Sequence, residues 1–122
     1  KTLKLVNEIR VKNNLAKLAL DPDLTQVAII KAKDMVKRNY FEHYSPFYGN
    51  PWDLATLFDY DYVSFGENIA RNFSTAEATV DAWMASPNHR ANILKSHYEY
   101  MGIGIEKTKT GNFYVVQHFS SK

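Results

Sequence analysis

The sequence predicts an α/β domain in which helices cover both faces of a small sheet. Three observations predict it. Apolar residues recur at helical spacing in several segments, and those segments carry capping residues at their starts. Near the C-terminus, Met101, Ile103 and Ile105 alternate with Gly102 and Gly104 at the period of a strand, and a turn over residues 107–111 leads into a second strand. That second strand holds the continuous apolar run 113–116, which needs cover on both faces.

The elements follow in order. Leu3, Val6 and Ile9, with Arg10 and Asn13, recur at helical spacing over residues 2–13, and Leu5 widens the apolar stripe. Asn13-Asn14 is a stop, because Asn tolerates the left-handed conformation. Residues 15–20 form a short apolar connection. Asp21-Pro22 is an N-cap followed by a first-turn proline, opening a helix over residues 22–39. Its buried face is expected to be Leu24, Val27, Ala28, Ala32, Met35 and Val36, with Lys31, Lys33, Asp34 and Lys37 toward water. Residues 40–46 leave it extended, since Pro46 biases Ser45 away from helix. Asn50-Pro51 starts a short helix with Trp52, Ala55, Leu57 and Phe58 as its apolar contacts.

A Tyr-rich loop leads into the extended apolar segment 65–70, where Gly66 marks a close backbone approach or a bulge. Ser74-Thr75-Ala76-Glu77 has the spacing of a capping box and opens the next helix. Ala76, Val80, Trp83 and Met84 should point inward, and Ser86-Pro87 should end it. An apolar turn at Ala91, Ile93 and Leu94 then precedes the two closing strands, 98–107 and 112–119. With no repeat or linker, residues 1–122 make one domain.

Composition excludes several classes. A chain of 122 residues sits near the size of one domain. A net charge of +2 gives no footprint for nucleic acid. The absence of cysteine removes thiol nucleophiles, Cys-type zinc sites and disulfides. No apolar run approaches the roughly 20 residues that span a bilayer, so no transmembrane segment is expected in this chain.

Three polar residues stand apart from the scaffold: His43 in FEHYSP, Glu67 in FGENIA and His89 in HRANIL. Each has a plain structural alternative. His43 could tie a loop to the core, His89 could cap a helix, and Glu67 could pair with Arg90 or Arg71. His97 reads as surface and His118 as structural. Two His and one Glu could form a His₂Glu zinc set, although no HExxH is present. A Ser-His-acid triad through Ser45 or Ser86 lacks a G-x-S-x-G elbow. No phosphate-binding glycine loop is found.

FEHYSP, FGENIA, the helix with Trp83, HRANIL and YMGIGI, in this order and at these separations, resemble the CAP superfamily of cysteine-rich secretory, antigen 5 and pathogenesis-related 1 proteins. The likeness is to its bacterial, disulfide-free branch and covers nearly the whole chain. It implies a three-layer α-β-α sandwich with a small, mainly antiparallel central sheet. It also implies a shallow cleft lined by two histidines and two acids. By motif these are His43, Glu67 and His89, with Ser45, Asn68, Ser86 and Asn92 lining the cleft. The second acid falls at Ser86, so the tetrad is incomplete. The resemblance further implies an extracellular or cell-surface location, a lipid or macromolecular ligand, and a monomer. Zinc or another divalent cation is expected to bind weakly through His43 and His89 and not to be required for folding. The alternative is a metal-dependent hydrolase acting on peptide or cell-wall material, with Glu67 as general base.

Overall fold

The computed structural model describes residues 1–122. Five helices and four strands follow as α1 (Thr2–Lys12), β1 (Ala19–Leu20), α2 (Pro22–Arg38), α3 (Pro51–Leu57), β2 (Ser64–Arg71), α4 (Ala76–Ala85), α5 (Pro87–Ile93), β3 (Tyr100–Lys107) and β4 (Phe113–Ser121). The sheet order is β1-β3-β4-β2. β1 lies parallel to β3, and the other pairs are antiparallel. The architecture is the expected α/β one, with β1 as a two-residue addition inside the predicted connection.

Pleating sorts the side chains into two cores. Ala70, Met101, Val115 and Phe119 face α1, α4 and α5, packing with Val6, Val80, Trp83 and Ile93. Ile69, Tyr114 and Val116 face Ala28, Ala32 and Met35 of α2. A third cluster joins Leu24 and Val27 of α2 to Leu54 and Ala55 of α3. Gly102 and Gly104 turn toward α2, and a Cβ on either would run into helix backbone: that of Leu24 and Thr25 for Gly102, of Ala28 and Ile29 for Gly104. The glycines are what let the longest helix lie directly on β3.

Local signals set most helix ends. The Asp21 carboxylate accepts from the Asp23 and Leu24 amides at 2.9 and 3.3 Å, and Pro22 begins α2. At α4 the cap is Thr75, whose hydroxyl accepts from Ala78 N at 3.0 Å. The cap expected at Ser74 therefore falls one residue later, and with Ala78 at the third helical position the expected capping box does not form. Ser86 ends α4 and also serves as the N-cap of α5, because its extended backbone breaks one helix and Pro87 restarts the next. The segment expected as an apolar turn is thus helical.

Other expectations fail on burial. Trp52 and Leu57 on α3 and Phe58 at its C-cap are 47, 62 and 49% exposed, and Leu54 takes the core position instead. Ile105, on the same face of β3 as Met101 and Ile103, is exposed and lines a surface groove with Thr2, Ala76 and Thr79. Lys31 and Asp34, placed toward water by helical periodicity, are buried. Arg10 is fully buried as well. Its guanidinium donates to the carbonyls of Ala16, Ile93 and Lys95 at 2.8, 2.8 and 3.0 Å, tying α1 to the α5–β3 connection.

Candidate functional site

β2 is an edge strand, and the site is built across it. Successive residues of a strand point to opposite faces. Glu67 therefore faces the α2 layer, while Asn68 faces the layer that holds α4 and α5. The segment after α2 brings His43 to one side, and α5 brings His89 to the other. The strand's outer edge is closed by side chains. Trp83 Nε1–H donates to the Ile69 carbonyl at 3.1 Å and Asn92 Nδ2 to the Glu67 carbonyl at 3.1 Å. Both bonds satisfy backbone acceptors that an exposed edge would leave open.

Glu67 is buried between two imidazoles. His43 Nδ1–H donates to Oε1 at 2.8 Å, and His118 Nε2–H donates to Oε2 at 2.7 Å. Burial pushes the Glu67 carboxyl up. The hydrogen bonds from His118 and His43, with the charges of His118 and Lys31, outweigh it and hold the group below the usual carboxylate range. His118 pairs in register with Glu67 on one side and Gly102 on the other, and is fully buried. Its Nδ1 has no hydrogen-bond partner. Reading His118 as merely structural misses that it fixes the acid; the only signal available is its alternation with Gln117 and Phe119 along β4.

The His43 loop is anchored by two buried charges on α2. Lys31 Nζ donates to the carbonyls of Glu42 and His43 at 2.8 and 2.7 Å and to the Tyr40 hydroxyl at 3.3 Å. Burial lowers its pKa against the charges of Glu67, Asp34 and Glu42. The Asp34 carboxylate accepts from Ser45 Oγ at 2.5 Å, from Arg38 Nε at 2.6 Å and from the Tyr40 hydroxyl. Ser45 Oγ in turn accepts from the amides of Phe47 and Tyr48 at 3.1 and 3.0 Å. Ser45 is thus a buried hinge pin under the cleft loop and does not line its surface.

Burial pushes the Asp34 carboxyl up, but the hydrogen bonds from Ser45, Tyr40 and Arg38 and the charge of Arg38 bring it below the ordinary value. A depressed carboxylate stabilises the fold above its unfolded pKa, and that contribution is lost as pH falls through the folded pKa. Asp34→Asn should therefore cost about 1–3 kcal/mol at pH 7, the range for charged hydrogen bonds. The gap to the parent should close below roughly pH 4, near and under the unfolded carboxylate value. Urea titrations at pH 7 and pH 3 check this; a gap equal at both pH values would contradict it.

On the other side of β2, Asn68 Nδ2 donates to the His89 carbonyl and to Gln117 Oε1, both at 3.1 Å. Asn92 donates to Asn68 Oδ1 at 3.0 Å. These amides seat the first turn of α5 against the strand. His89 Nδ1 and the Ser86 hydroxyl share a hydrogen bond of 2.9 Å. Burial lowers the His89 pKa, and the nearby His43 lowers it further, which favours neutral imidazole. Arg90 and Arg71, the partners weighed for Glu67, make no ion pair with it; His43 and His118 do.

The donor set fits a metal only in part. His43 and His89 each engage Nδ1 within the chain, leaving Nε2 without a hydrogen bond. Both Glu67 oxygens already accept from imidazoles. No group of three or more His, Cys, Asp or Glu side chains is placed to hold an ion. Among His43, Glu67 and His89, the atoms not already hydrogen-bonded within the chain are the two imidazole Nε2 atoms.

A three-layer α-β-α domain with two histidines flanking a buried glutamate on an edge strand defines a class of fold and site. The chain belongs to the cysteine-rich secretory protein (CAP) family, whose model matches residues 3–119. It is 42% identical over 104 residues to the uncharacterized protein YkwD of Bacillus subtilis (strain 168), covering 85% of this chain and 40% of that protein. An extracellular protein containing a SCP domain from Bacillus anthracis superposes with a TM-score of 0.92 at 34% identity, covering 99% of this chain and 39% of that one. An outer surface protein of Borrelia burgdorferi shares the fold with a TM-score of 0.90 at 23% identity, covering 98% and 89% of the two chains. The chain thus spans about two fifths of the length of both Bacillus relatives. No helix is long and apolar enough to cross a membrane.

Proposed function

We propose that the domain is an extracellular binding module. Its cleft takes a divalent cation weakly through His43 and His89 and presents it to a surface ligand, macromolecular or lipid. One observation carries the reading: both histidines are oriented through Nδ1 by neighbours and keep Nε2 free, the usual way a protein presents imidazole to a metal. Glu67 orients His43 and is not itself free to ligate. Ser86 stands where the resemblance calls for an acid and holds His89 with a neutral hydroxyl. The hydrolytic alternative gains nothing, because both Glu67 oxygens are engaged and the side chain is buried. The extracellular placement rests on the descriptions of the Bacillus anthracis and Borrelia proteins.

Zinc calorimetry tests the reading. Two ligands should give a Kd of order micromolar to millimolar, about −8 to −4 kcal/mol. His43→Ala and His89→Ala should each abolish the heat without loss of fold. Ser86→Asp should tighten binding by about 10–100-fold, the usual weight of a carboxylate behind a ligating histidine. Melting temperature should not change on adding chelator. A nanomolar site, zinc binding that survives His43→Ala, or unfolding in chelator would overturn the proposal.

A further inference from the structure

Away from the cleft, three chain reversals meet around an open groove of about 610 Å³. They are the end of α2, the end of β2 and the β3–β4 turn. The groove is lined by the cations Lys37, Arg71 and Lys109, and no carboxylate lines it. None of the three cations belongs to an ion pair. Like charges repel, so three unpaired cations gathered round one groove favour an anion between them.

The groove is also ordered. The Arg71 guanidinium lies 4.6 Å over the Phe41 ring and donates to the Tyr114 hydroxyl at 3.5 Å, which fixes its plane and leaves other N–H groups free. In the turn, Thr108 N donates to the Asn112 carbonyl at 2.8 Å, and Thr108 Oγ1 accepts from Asn112 N at 3.1 Å. Asn39 and Asn72 hold the opposite walls at φ 54° and 71°, in the left-handed region that Asn tolerates. Asparagine and threonine side chains both donate and accept, which suits hydroxyl groups beside a charged centre.

We propose that this groove binds a phosphate ester of a polyol. Arg71, Lys37 and Lys109 would take the phosphate oxygens, and the amides and hydroxyls would take the polyol. The Arg fork matches phosphate geometry, whereas a lysine supplies a point charge. The ester could be a free polyol phosphate or the headgroup of an anionic lipid, and the chemistry recognised is the same.

The test is an amide NMR titration of the whole chain at constant ionic strength, using glycerol 3-phosphate, inorganic phosphate and glycerol. Glycerol 3-phosphate should saturate, with shifts centred on residues 37–39, 71–72 and 108–112. Inorganic phosphate should bind several-fold more weakly, and glycerol should not bind. Arg71→Gln should weaken binding at least about 10-fold, the loss of one charged hydrogen-bonded contact. Lys109→Gln, at an exposed position in the turn, should weaken it with no effect on the fold. Flotation with phosphatidylglycerol vesicles against phosphatidylcholine vesicles separates the sources. Capture by the anionic vesicles that Lys109→Gln removes assigns a lipid headgroup; saturation by the soluble ester alone assigns a free one. Shifts that never saturate and spread over lysines generally, or an affinity unchanged in both variants, would overturn the proposal. So would equal affinity for inorganic phosphate and the ester.

Discussion

Gly104→Val is expected to destabilise the domain by more than about 3 kcal/mol, beyond the usual 1–3 kcal/mol of overpacking. The obstacle is backbone. A Cβ on Gly104 would meet the carbonyl carbon and oxygen of Ala28 and the amide of Ile29, and an α-helix cannot yield there without breaking its own hydrogen bonds. Either α2 lifts from the sheet or β3 bends. Lifting α2 opens the cluster of Ala28, Ala32, Met35, Ile69, Tyr114 and Val116. It also displaces Lys31 and Asp34, which hold the His43 loop. Gly104→Ala should already cost about 2 kcal/mol for the same reason. A whole-domain stability of about 5–15 kcal/mol makes the valine variant marginal. Denaturant titration checks this, and a loss below about 1 kcal/mol for the valine variant would mean that α2 can move away freely.

Trp83→Ala should cost about 3–5 kcal/mol, the range for removing a large buried aromatic. Trp83 is 1% exposed and packs among Val6, Val80, Ile93, Met101 and Phe119. Its loss also leaves the Ile69 carbonyl without the indole N–H. Trp83→Phe keeps most of the volume and removes only that bond, so it should cost about 1–3 kcal/mol. The two variants separate packing from edge closure. Ile69 lies two residues from Glu67 on the same strand, so a loosened edge should also weaken zinc binding in the phenylalanine variant, even at temperatures where it is fully folded. Equal stability of the phenylalanine variant and the parent would show that water replaces the indole at no cost.

The sequence by itself determined the elements whose causes are local. Asp21-Pro22 and Asn50-Pro51 start helices because capping and a fixed φ act within one turn. Gly102 and Gly104 leave one face of β3 bare at the period of a strand, and the structure lays α2 on that face. The ordered motifs around His43, Glu67 and His89 point to the family and name residues that the fold gathers at β2.

Only the tertiary structure decided which polar groups are buried and what they hold. Lys31 and Asp34 sit on the expected polar stripe of α2. The chain reverses after Arg38 and lays residues 40–45 over them, and their partners, at Tyr40, Glu42, His43 and Ser45, become reachable only through that reversal. His118 meets Glu67 through strand register across 51 residues, which no periodicity encodes. The exposure of Trp52, Leu57 and Phe58 follows from α3 being two turns long, with one face taken by Leu54 and Ala55. Helical spacing and capping are short-range and can be read along the chain. Burial of a charge depends on partners that long-range packing supplies, and it exists only once the layers have closed.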